Sequence, residues 1–281
     1  MPIDFQTLRQ DVEDTLSRAL AGDGLIAEAK RHAVLGGGKR LRPLMLLSAA
    51  EAIGAIPRDF LEAAAAVEII HAASLILDDL PSMDDAQMRR GRPTIHKAYG
   101  EAAAILGAVS LVGDAFHLIA SNGARLRTGS GQVARACELA SHTIGAIGMS
   151  GGQAIDLEAS RRVLRQSELL QCYYSKTGSL FALSAMLPPV LADSPSDQLE
   201  SLRRYGLEFG LAFQLADDLR DPVETTKDRN KDRNKHTLAA QLGSAEANAR
   251  KKKATEAALA ALDIFGERAA SLSELARRAL A

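Results

Sequence analysis

The 281-residue sequence contains no tryptophan, and aromatic residues make up only 4% of it. This scarcity, together with abundant alanine and leucine, favours helices over sheets. The two cysteines, Cys137 and Cys172, lack metal-ligand spacing and fit a reducing compartment. Neither sign of charge dominates, since 34 basic and 35 acidic residues give a formal net charge of −1, and we expect no nucleic-acid partner. The first residues lack the basic-then-apolar plan of a signal peptide, so we expect a cytoplasmic protein.

Apolar residues recur at helical spacing along most of the chain. The predicted helices span residues 4–22, 25–35, 44–53, 58–80, 166–187 and 197–221, a segment through Gly148–Gln153, and the chain from Ser244 onward. A polar loop is predicted at 121–130. No period-two strand pattern and no linker stand out, so we predict a single all-helical domain over residues 1–281.

Residues 102–120 form a strongly apolar run. A membrane span is the obvious alternative here, because such a span needs about 20 apolar residues. Asp114 and His117 interrupt the run, and Gly107 and Gly113 loosen it. The pattern therefore favours a buried helix of a large bundle, and we predict no membrane span.

Four carboxylates follow an apolar run within eight positions: Asp78, Asp79, Asp84 and Asp85. Charges this close repel one another unless a cation lies among them. Hard oxygen ligands suit Mg²⁺, which binds through a few carboxylates and the oxygens of a substrate phosphate. A solvated acidic turn is the alternative interpretation.

A second acidic cluster, Asp217, Asp218 and Asp221, follows another apolar stretch. Asp217 and Asp221 share one helix face, at a spacing of roughly 5–6 Å between Cβ atoms. Pro222 predicts that the helix stops or kinks there. Two acid-tipped helices could thus face each other across a cavity and hold metal ions between them.

Basic residues near these clusters suit phosphate oxygens. Lys39 and Arg42 follow three glycines, Gly36–Gly38, although a glycine-capped helix end with basic neighbours is the alternative. His71 lies two turns before Asp78 on the same face, which favours a diphosphate contact over a satisfied core residue. Lys176 lies in an apolar stretch, where burial without an anionic partner would be costly.

Residues 227–235 form a short charged repeat that contains Lys227 and Lys235. Plain solvation or disorder is one interpretation. The position just after the second acidic cluster favours a mobile lid whose lysines reach a phosphate. Acidic clusters, basic groups and an apolar interior together indicate a substrate with a phosphorylated head and an apolar body, ionised by electrostatic stabilisation of its leaving group.

These motifs resemble those of the trans-isoprenyl diphosphate synthases. Gly37–Pro43 resembles the family's Gly-Gly-Lys-Arg-x-Arg-Pro, and Asp78–Asp85 resembles its first aspartate-rich motif with a two-residue insertion. The remaining hallmarks match in order: Arg89–Thr94, Lys176–Thr177, Phe213–Gln214 and Asp217–Asp221. The resemblance covers nearly the whole chain and implies the isoprenoid synthase fold, an all-α arrangement of antiparallel helices around a deep central cavity. The family usually has glycine where Thr226 and Asn234 stand.

The resemblance also implies roles for individual residues. Two of three Mg²⁺ ions would bind Asp78, Asp79 and Asp84, and the third would bind Asp217, supported by Asp218 and Asp221. The allylic diphosphate would be held by Arg89, Lys176, Thr177, Gln214, Lys227 and Lys235, and isopentenyl diphosphate by Lys39, Arg42, His71 and Arg90. The allylic substrate ionises, the isopentenyl double bond attacks, and a proton leaves. The departing diphosphate is the implied base.

Product length would depend on the cavity floor, one turn or more before Asp78. Ala73 and Ser74 are small there, whereas shorter-chain bacterial relatives tend to have an aromatic ring at the position of Ala73. We therefore predict geranylgeranyl diphosphate as the product, with farnesyl diphosphate as the alternative. Leu77–Asp78 and His96–Lys97 also resemble the C20-forming type.

Two other classes of protein share part of this pattern. A class I terpene cyclase also has an aspartate-rich helix and three Mg²⁺ ions, but it binds one substrate and does not need the set around Lys39 and Arg42. An inactive regulatory subunit would keep the fold, yet the aspartates of both motifs are intact here. The apolar 102–120 helix resembles the dimer-forming region of the family, so we expect a homodimer.

Overall fold

The computed structural model describes residues 4–159, 161–220 and 237–280 of the chain. Most of this part is helical, as the sequence predicts. The α-helices in chain order are α1 (Phe5–Ala19), α2 (Leu25–Val34), α3 (Leu41–Ala52), α4 (Leu61–Asp78), α5 (Ile95–Tyr99), α6 (Glu101–Arg125), α7 (Ser130–Ile144), α8 (Met149–Ala159), α9 (Gln166–Cys172), α10 (Ser179–Leu191), α11 (Ser196–Arg220), α12 (Leu238–Leu242), α13 (Ser244–Ala260) and α14 (Ala270–Leu280).

Shorter elements connect some of these helices. Two 3₁₀ helices lie at Pro57–Phe60 and Asp263–Ala269, and a π-helix lies at Tyr173–Gly178. A hairpin of two-residue strands is formed by β1 (Met88–Arg89) and β2 (Arg92–Pro93). The predicted all-α class is confirmed. The hairpin is not expected from the sequence pattern, because strands of two residues are too short to show a period of two.

Most predicted helix boundaries agree with the structure to within three residues. The start of α3 lies at this limit, since the helix begins at Leu41, three residues before the predicted position 44. Pro43 therefore lies inside the first turn of α3. A proline is tolerated there because the first helical N–H groups have no partner within the helix.

The prediction of a polar loop over 121–130 is wrong in its first half, where α6 continues to Arg125. The cause is a tertiary contact made by Asn122, which is fully buried. Its Oδ1 accepts from the N–H of Ala63 at 2.8 Å, and its Nδ2 donates to the carbonyl of Asp59 at 2.9 Å. An asparagine of α6 thus caps the beginning of α4, which turns a residue typical of loops into a helical one.

Helix α4 lies in the centre of the core and packs along α6. Residues 63–70 of α4 are all buried, and four of them are consecutive alanines, which let neighbouring helices approach closely. This central position carries the first acidic motif, at the C-terminal end of α4, into the interior of the bundle. The remaining apolar core is built mainly from leucine and alanine.

In the part of the chain that the structure describes, two helical segments are long and apolar enough to cross a membrane by length and composition. Pro57–Asp78 is 67% buried within the protein, whereas Glu101–Arg125 is 44% buried. Asp114, which interrupts the second segment, pairs with Lys30 of α2 at 2.7 Å. On its other side the second segment exposes large apolar side chains, namely Ile105, Leu106 and Val109.

Candidate active site

The first acidic motif begins where α4 ends, at Asp78. The chain then folds back in a tight turn. The N–H of Asp84 donates to the carbonyl of Asp78 at 2.9 Å, and the N–H of Ala86 donates to the carbonyl of Asp79 at 3.1 Å. The wide spacing between Asp79 and Asp84 is absorbed by this turn, so Asp84 lies beside Asp78.

The Asp78 carboxyl is strongly perturbed by its surroundings. Its pKa is raised to about 6, first by burial and then by the negative charges of Asp84 and Asp156, while Lys176 and Arg89 oppose the rise. A carboxylate in this position gains from a further cation, because ionisation is disfavoured by the groups already present. This electrostatic state is typical of a functional acid rather than of a solvated turn.

Asp79 is arranged differently from Asp78, because it is only 3% exposed and is held by Arg89 of the hairpin. Nε of Arg89 lies 2.8 Å from Oδ2 of Asp79, and Nη2 lies 2.6 Å from Oδ1. Burial lowers the pKa of Arg89, but the hydrogen bond and charge of Asp79 outweigh it and raise the pKa overall. This bidentate pair fixes the hairpin against the end of α4.

Lys176 and Thr177 lie in the π-helix, which interrupts the helix predicted over 166–187. Single-turn π-helices are frequently found at functional sites. Nζ of Lys176 lies 2.8 Å from Oδ2 of Asp156 on α8. The expectation that a lysine in this apolar stretch has an anionic partner is therefore confirmed.

Two glycines allow the π-helix to pack at backbone distance from its neighbours. A Cβ atom on Gly152 of α8 would come within 2.3 Å of the backbone nitrogen of Lys176. A Cβ atom on Gly210 of α11 would come within 2.5 Å of the Cα of Gly178. Any side chain at either glycine would push a helix away. The π-helix is thereby held between Asp156 on one side and the second acidic motif on the other.

Asp217 and Asp218 of the second acidic motif lie in the last turn of α11. Oδ1 of Asp217 accepts from Nη2 of Arg220 at 3.1 Å. Oδ1 of Asp218 accepts from Nε2 of Gln214 at 3.1 Å, and Oε1 of Gln214 accepts from the hydroxyl of Thr177 at 2.8 Å. A hydrogen-bonded chain thus joins the π-helix to the second motif.

Arg42 forms the half-buried centre of a basic region on α3, and its Nε atom is fully buried. Its pKa is lowered to about 10 by burial, with a further reduction from Arg90, while Glu68 and Asp217 act in the opposite direction. The guanidinium carbon lies 4.3 Å from the centre of the Phe181 ring on α10, a cation–π contact. Nε of Arg42 has no hydrogen-bond partner among the described residues. A buried cation with an unpaired donor is suited to an anionic ligand.

His71 on α4 belongs to the same basic region. Burial lowers its pKa well below the usual value, and the charges of Arg42, Arg90 and Arg89 lower it further. The imidazole is therefore neutral at pH 7 before an anion arrives. Arg90 donates to the carbonyl of Gly37, so the hairpin lies against the glycine loop. Lys39, in the same region, is exposed.

The donor set fits Mg²⁺ rather than a structural metal. Within residues 4–159, 161–220 and 237–280, no three His, Cys, Asp or Glu side chains are close enough to hold an ion on their own. Mg²⁺ usually takes one or two carboxylates and completes its shell with water and substrate phosphates. Asp78 and Asp84, held together by the turn, supply such a partial set.

A crevice opens between α2, the C-terminal end of α4 and the hairpin. It is lined by Ala72, Leu75 and Ile76 of α4, and by Arg89 and Arg92 of the hairpin among others. The predicted floor residues do not line it. Ala73 is buried at 3% exposure, and Ser74 donates from its hydroxyl to the carbonyl of His71 at 2.9 Å.

The predicted site residues within the described part come from five elements and form two adjacent groups, one acidic and one basic. Charge interactions link the two groups. The charge of Lys176 opposes the rise in the pKa of Asp78, and the charge of Asp217 opposes the fall in the pKa of Arg42. Asp221, Lys227 and Lys235 lie outside the described residues.

Sequence reasoning missed several supporting side chains. Arg40 is buried at 2% exposure and pairs with Glu68 at 2.6 Å and Glu13 at 2.7 Å, which holds the glycine loop in place. Phe181 and Tyr173 were likewise not singled out. Helical periodicity predicts that aromatic residues such as Phe181 and Tyr173 belong to the core. A basic residue such as Arg40, which lies between Lys39 and Arg42, is expected to be solvated. No local signal therefore distinguishes these three residues.

An all-helical bundle that brings two aspartate motifs and an arginine cluster together has the isoprenoid synthase fold. A structure of an FPP/GFPP synthase from Zymomonas mobilis matches with a TM-score of 0.89 at 31% identity, covering 98% of this chain and 97% of that one. A geranyltranstransferase from Thermotoga maritima matches with a TM-score of 0.84 at 32% identity, covering 98% of each chain.

The polyprenyl synthetase family model matches residues 23–273. A geranylgeranyl diphosphate synthase from Pantoea ananas is 39% identical over 208 residues, which are 72% of this chain and 68% of the relative. A farnesyl diphosphate synthase from Bacillus subtilis is 37% identical over 199 residues, which are 71% of this chain and 64% of the relative. The chain therefore belongs to the polyprenyl synthetase family of trans-isoprenyl diphosphate synthases, as its motifs predict.

Proposed function

We propose that the protein condenses isopentenyl diphosphate with allylic diphosphates, with geranylgeranyl diphosphate as the main product. The observation that carries the proposal is the basic region around His71, where Nε of Arg42 is buried without a hydrogen-bond partner among the described residues, next to an acidic group. Positive charge buried without an anion is costly, and a diphosphate would relieve that cost. The neighbouring carboxylates suit the Mg²⁺ that accompanies a second diphosphate.

In this proposal the aspartates bind Mg²⁺ from two opposite walls of the site. Asp78 and Asp84 hold Mg²⁺ on one wall, and Asp217, supported by Asp218, holds it on the other. When bound, Mg²⁺ stabilises the negative charge that develops on a departing diphosphate. Metal ligation by Asp79 stays a prediction, and its bidentate pair with Arg89 supports a role in orienting that arginine.

The chain's own side chains position two substrates. Lys176, Thr177, Gln214 and Arg89 hold the allylic diphosphate, and the ion pair between Lys176 and Asp156 directs the ammonium group into the site. The set Lys39, Arg42, His71 and Arg90 holds isopentenyl diphosphate. The allylic C–O bond breaks, the isopentenyl double bond forms the new C–C bond, and a proton passes to the released diphosphate. No protein base is assigned.

The product length rests on the small residues Ala73 and Ser74 below the first motif. Relatives of both kinds, geranylgeranyl and farnesyl diphosphate synthases, resemble this chain at similar identity. The absence of a large side chain at position 73 supports the longer product, and farnesyl diphosphate is the alternative.

The deciding experiment is to incubate the purified chain with Mg²⁺, isopentenyl diphosphate and each allylic starter of five, ten or fifteen carbons, and to size the products. We expect C20 from all three starters. Accumulation of C15 supports the farnesyl alternative. Product formed without isopentenyl diphosphate indicates a terpene cyclase, and a folded chain with no product in any mixture indicates an inactive subunit.

Replacing Phe181 by leucine tests the basic region. We expect the KM for isopentenyl diphosphate to rise about fivefold with little change in kcat, because Arg42 loses the aromatic face that holds its guanidinium. Phe209→Leu is the matched control, because Phe209 packs on Phe181 with ring centroids 4.8 Å apart, whereas the guanidinium of Arg42 lies over the Phe181 ring itself. Steady-state kinetics with each substrate varied in turn make the measurement, and equal KM changes in both variants would contradict the assigned role.

We also propose that the exposed apolar face of α6 forms the contact of a homodimer. Leu106 and Val109 are 57% and 65% exposed, and a patch of this kind usually marks an association surface. Val109→Asp is expected to convert a dimer into monomers, measured by sedimentation velocity. Ile147→Asp, at a 74% exposed apolar residue elsewhere, should leave the dimer intact. A wild-type chain that sediments as a monomer at micromolar concentration contradicts this proposal. Cytoplasmic localisation and a single domain stay predictions.

A further inference from the structure

The hydroxyl of Tyr173 connects three elements at the edge of the candidate active site. Tyr173 is the first residue of the π-helix and is buried at 7% exposure. Its hydroxyl donates to Oδ2 of Asp218 at the end of α11. The same oxygen accepts the backbone N–H of Leu238, at the beginning of α12, at 2.9 Å. One hydroxyl thus uses both its donor and an acceptor position within the protein.

The contact with Asp218 restricts how that carboxylate can turn. Gln214 donates to Oδ1 of Asp218 at 3.1 Å, so each oxygen of the carboxylate has a partner from a different element. The Gln214 amide is oriented in turn, because its Oε1 accepts from Thr177 at 2.8 Å. Removal of the Tyr173 hydroxyl would take away one of the contacts that orient Asp218 and weaken the orientation of Gln214.

The contact with Leu238 satisfies a helix N-terminus. The first N–H groups of a helix lack partners within it, and Thr237 caps another of them by accepting from Ala240 at 3.1 Å. Tyr173 therefore supplies a bond that α12 cannot make for itself. Burial raises the pKa of the Tyr173 hydroxyl, and the adjacent Asp218 raises it further, so the group keeps its proton and remains a donor.

We propose that Tyr173 is a positioning residue, whose hydroxyl orients Asp218, and through it Gln214 and Thr177, for the Mg²⁺-dependent binding of the allylic diphosphate. This assignment rests on the proposed function. Tyr173 does not meet the reacting atoms, and its effect passes through Asp218. Nothing in the spacing of the motifs selects this tyrosine, because on periodicity alone it is a core aromatic residue.

The test is Tyr173→Phe, with Tyr174→Phe as the matched control. Tyr174 is the next residue of the π-helix, and its hydroxyl donates to Glu208 at 3.2 Å, outside the network of Asp218. Binding of an unreactive allylic thiolodiphosphate is measured by calorimetry at several Mg²⁺ concentrations. We expect about tenfold weaker Mg²⁺-dependent binding for Tyr173→Phe, the usual effect of losing a hydrogen bond to a charged group. The control and the KM for isopentenyl diphosphate should change less than about twofold.

A double-mutant cycle separates positioning from general destabilisation. If Tyr173 acts through Asp218, adding Tyr173→Phe to Asp218→Asn should weaken binding no further. Independent, multiplying effects would overturn the assignment, as would a folded Tyr173→Phe variant that binds like wild type. If Tyr173→Phe does not fold, 4-aminophenylalanine at position 173 carries the test, since its amino group keeps the reach of the hydroxyl and can donate to Asp218. Binding by this variant should lie between wild type and Asp218→Asn, and binding equal to Asp218→Asn would overturn the assignment. Wild-type protein that fails to bind the analogue with Mg²⁺ contradicts the proposed function itself.

Discussion

Replacing Asp78 by asparagine is expected to reduce kcat at least about a hundredfold, because a ligand that helps to stabilise the developing charge is lost. The same change is expected to raise the thermal stability of the metal-free protein at pH 8. Asp78 is held in a buried position near Asp84 and Asp156, which disfavours its ionised form. A site prepared for a cation is strained while no cation is bound, so activity and stability move in opposite directions.

The pH dependence of this gain follows from the direction of the pKa shift. Folding raises the pKa of Asp78 from 3.8 to about 6, so the folded state binds the proton more tightly. The ionised group therefore destabilises the fold fully above pH 6, and the penalty fades as the pH falls towards 3.8. The size of the shift corresponds to at most about 3 kcal/mol at pH 8. The gain from Asp78→Asn should accordingly be smaller at pH 5 than at pH 8.

Calorimetric unfolding with a chelator present, at pH 5 and pH 8, measures this effect beside kinetic assays. Asp263→Asn, at an exposed aspartate on the 3₁₀ helix Asp263–Ala269, is the control and should leave stability and activity near wild type. An Asp78→Asn protein that is less stable than wild type at pH 8 would refute the idea that this carboxylate is strained. A variant that retains full activity would refute its assignment to Mg²⁺.

Ala73→Tyr is expected to change the main product from C20 to C15. Ala73 is buried and lies five residues, about 7.5 Å along the helix, before Asp78, so a ring there would occupy the space of a growing tail. Overpacking of a buried position usually costs about 1–3 kcal/mol, and some loss of stability should accompany the change. Chromatography of dephosphorylated products after reaction with C5 and C10 starters provides the readout.

The neighbouring Ala72 provides a control on the same helix. Ala72 lines the crevice between α2, α4 and the hairpin, which Ala73 does not line, so Ala72→Met should leave the product length unchanged. If both variants shorten the product, the effect comes from general distortion of α4 rather than from a floor at Ala73. If Ala73→Tyr is folded and active and still forms C20, the floor lies elsewhere.

Local signals in the chain predict much of this fold. Helix α11 agrees with its apolar periodicity to within one residue at each end, since most of the stability of such a helix comes from the face it buries. The loop prediction at 121–130 fails because a tertiary contact, rather than the local pattern, stabilises the helix there. Asn122 is helical because it caps α4 from a distance of about sixty positions in sequence, and no local window contains that partner.

The candidate site shows the same division. Clusters such as Asp78–Asp85 and Asp217–Asp218 are visible because ligands for one ion or one diphosphate are often close in sequence. The cost of burying a lysine predicts that Lys176 has an anionic partner, but the sequence does not identify that partner as Asp156. The π-helix itself depends on close contacts with Gly152 and Gly210, which belong to two other helices.

The sequence by itself determined the helical class, the family and the identity of most residues proposed to meet substrate, because periodicity and motif spacing are local properties of the chain. Only the tertiary structure decided which carboxylate is strained, which is paired with Arg89, and which hydroxyl orients Asp218. Those properties depend on burial and on the distance between charges from different helices, and neither quantity exists until the helices have packed together.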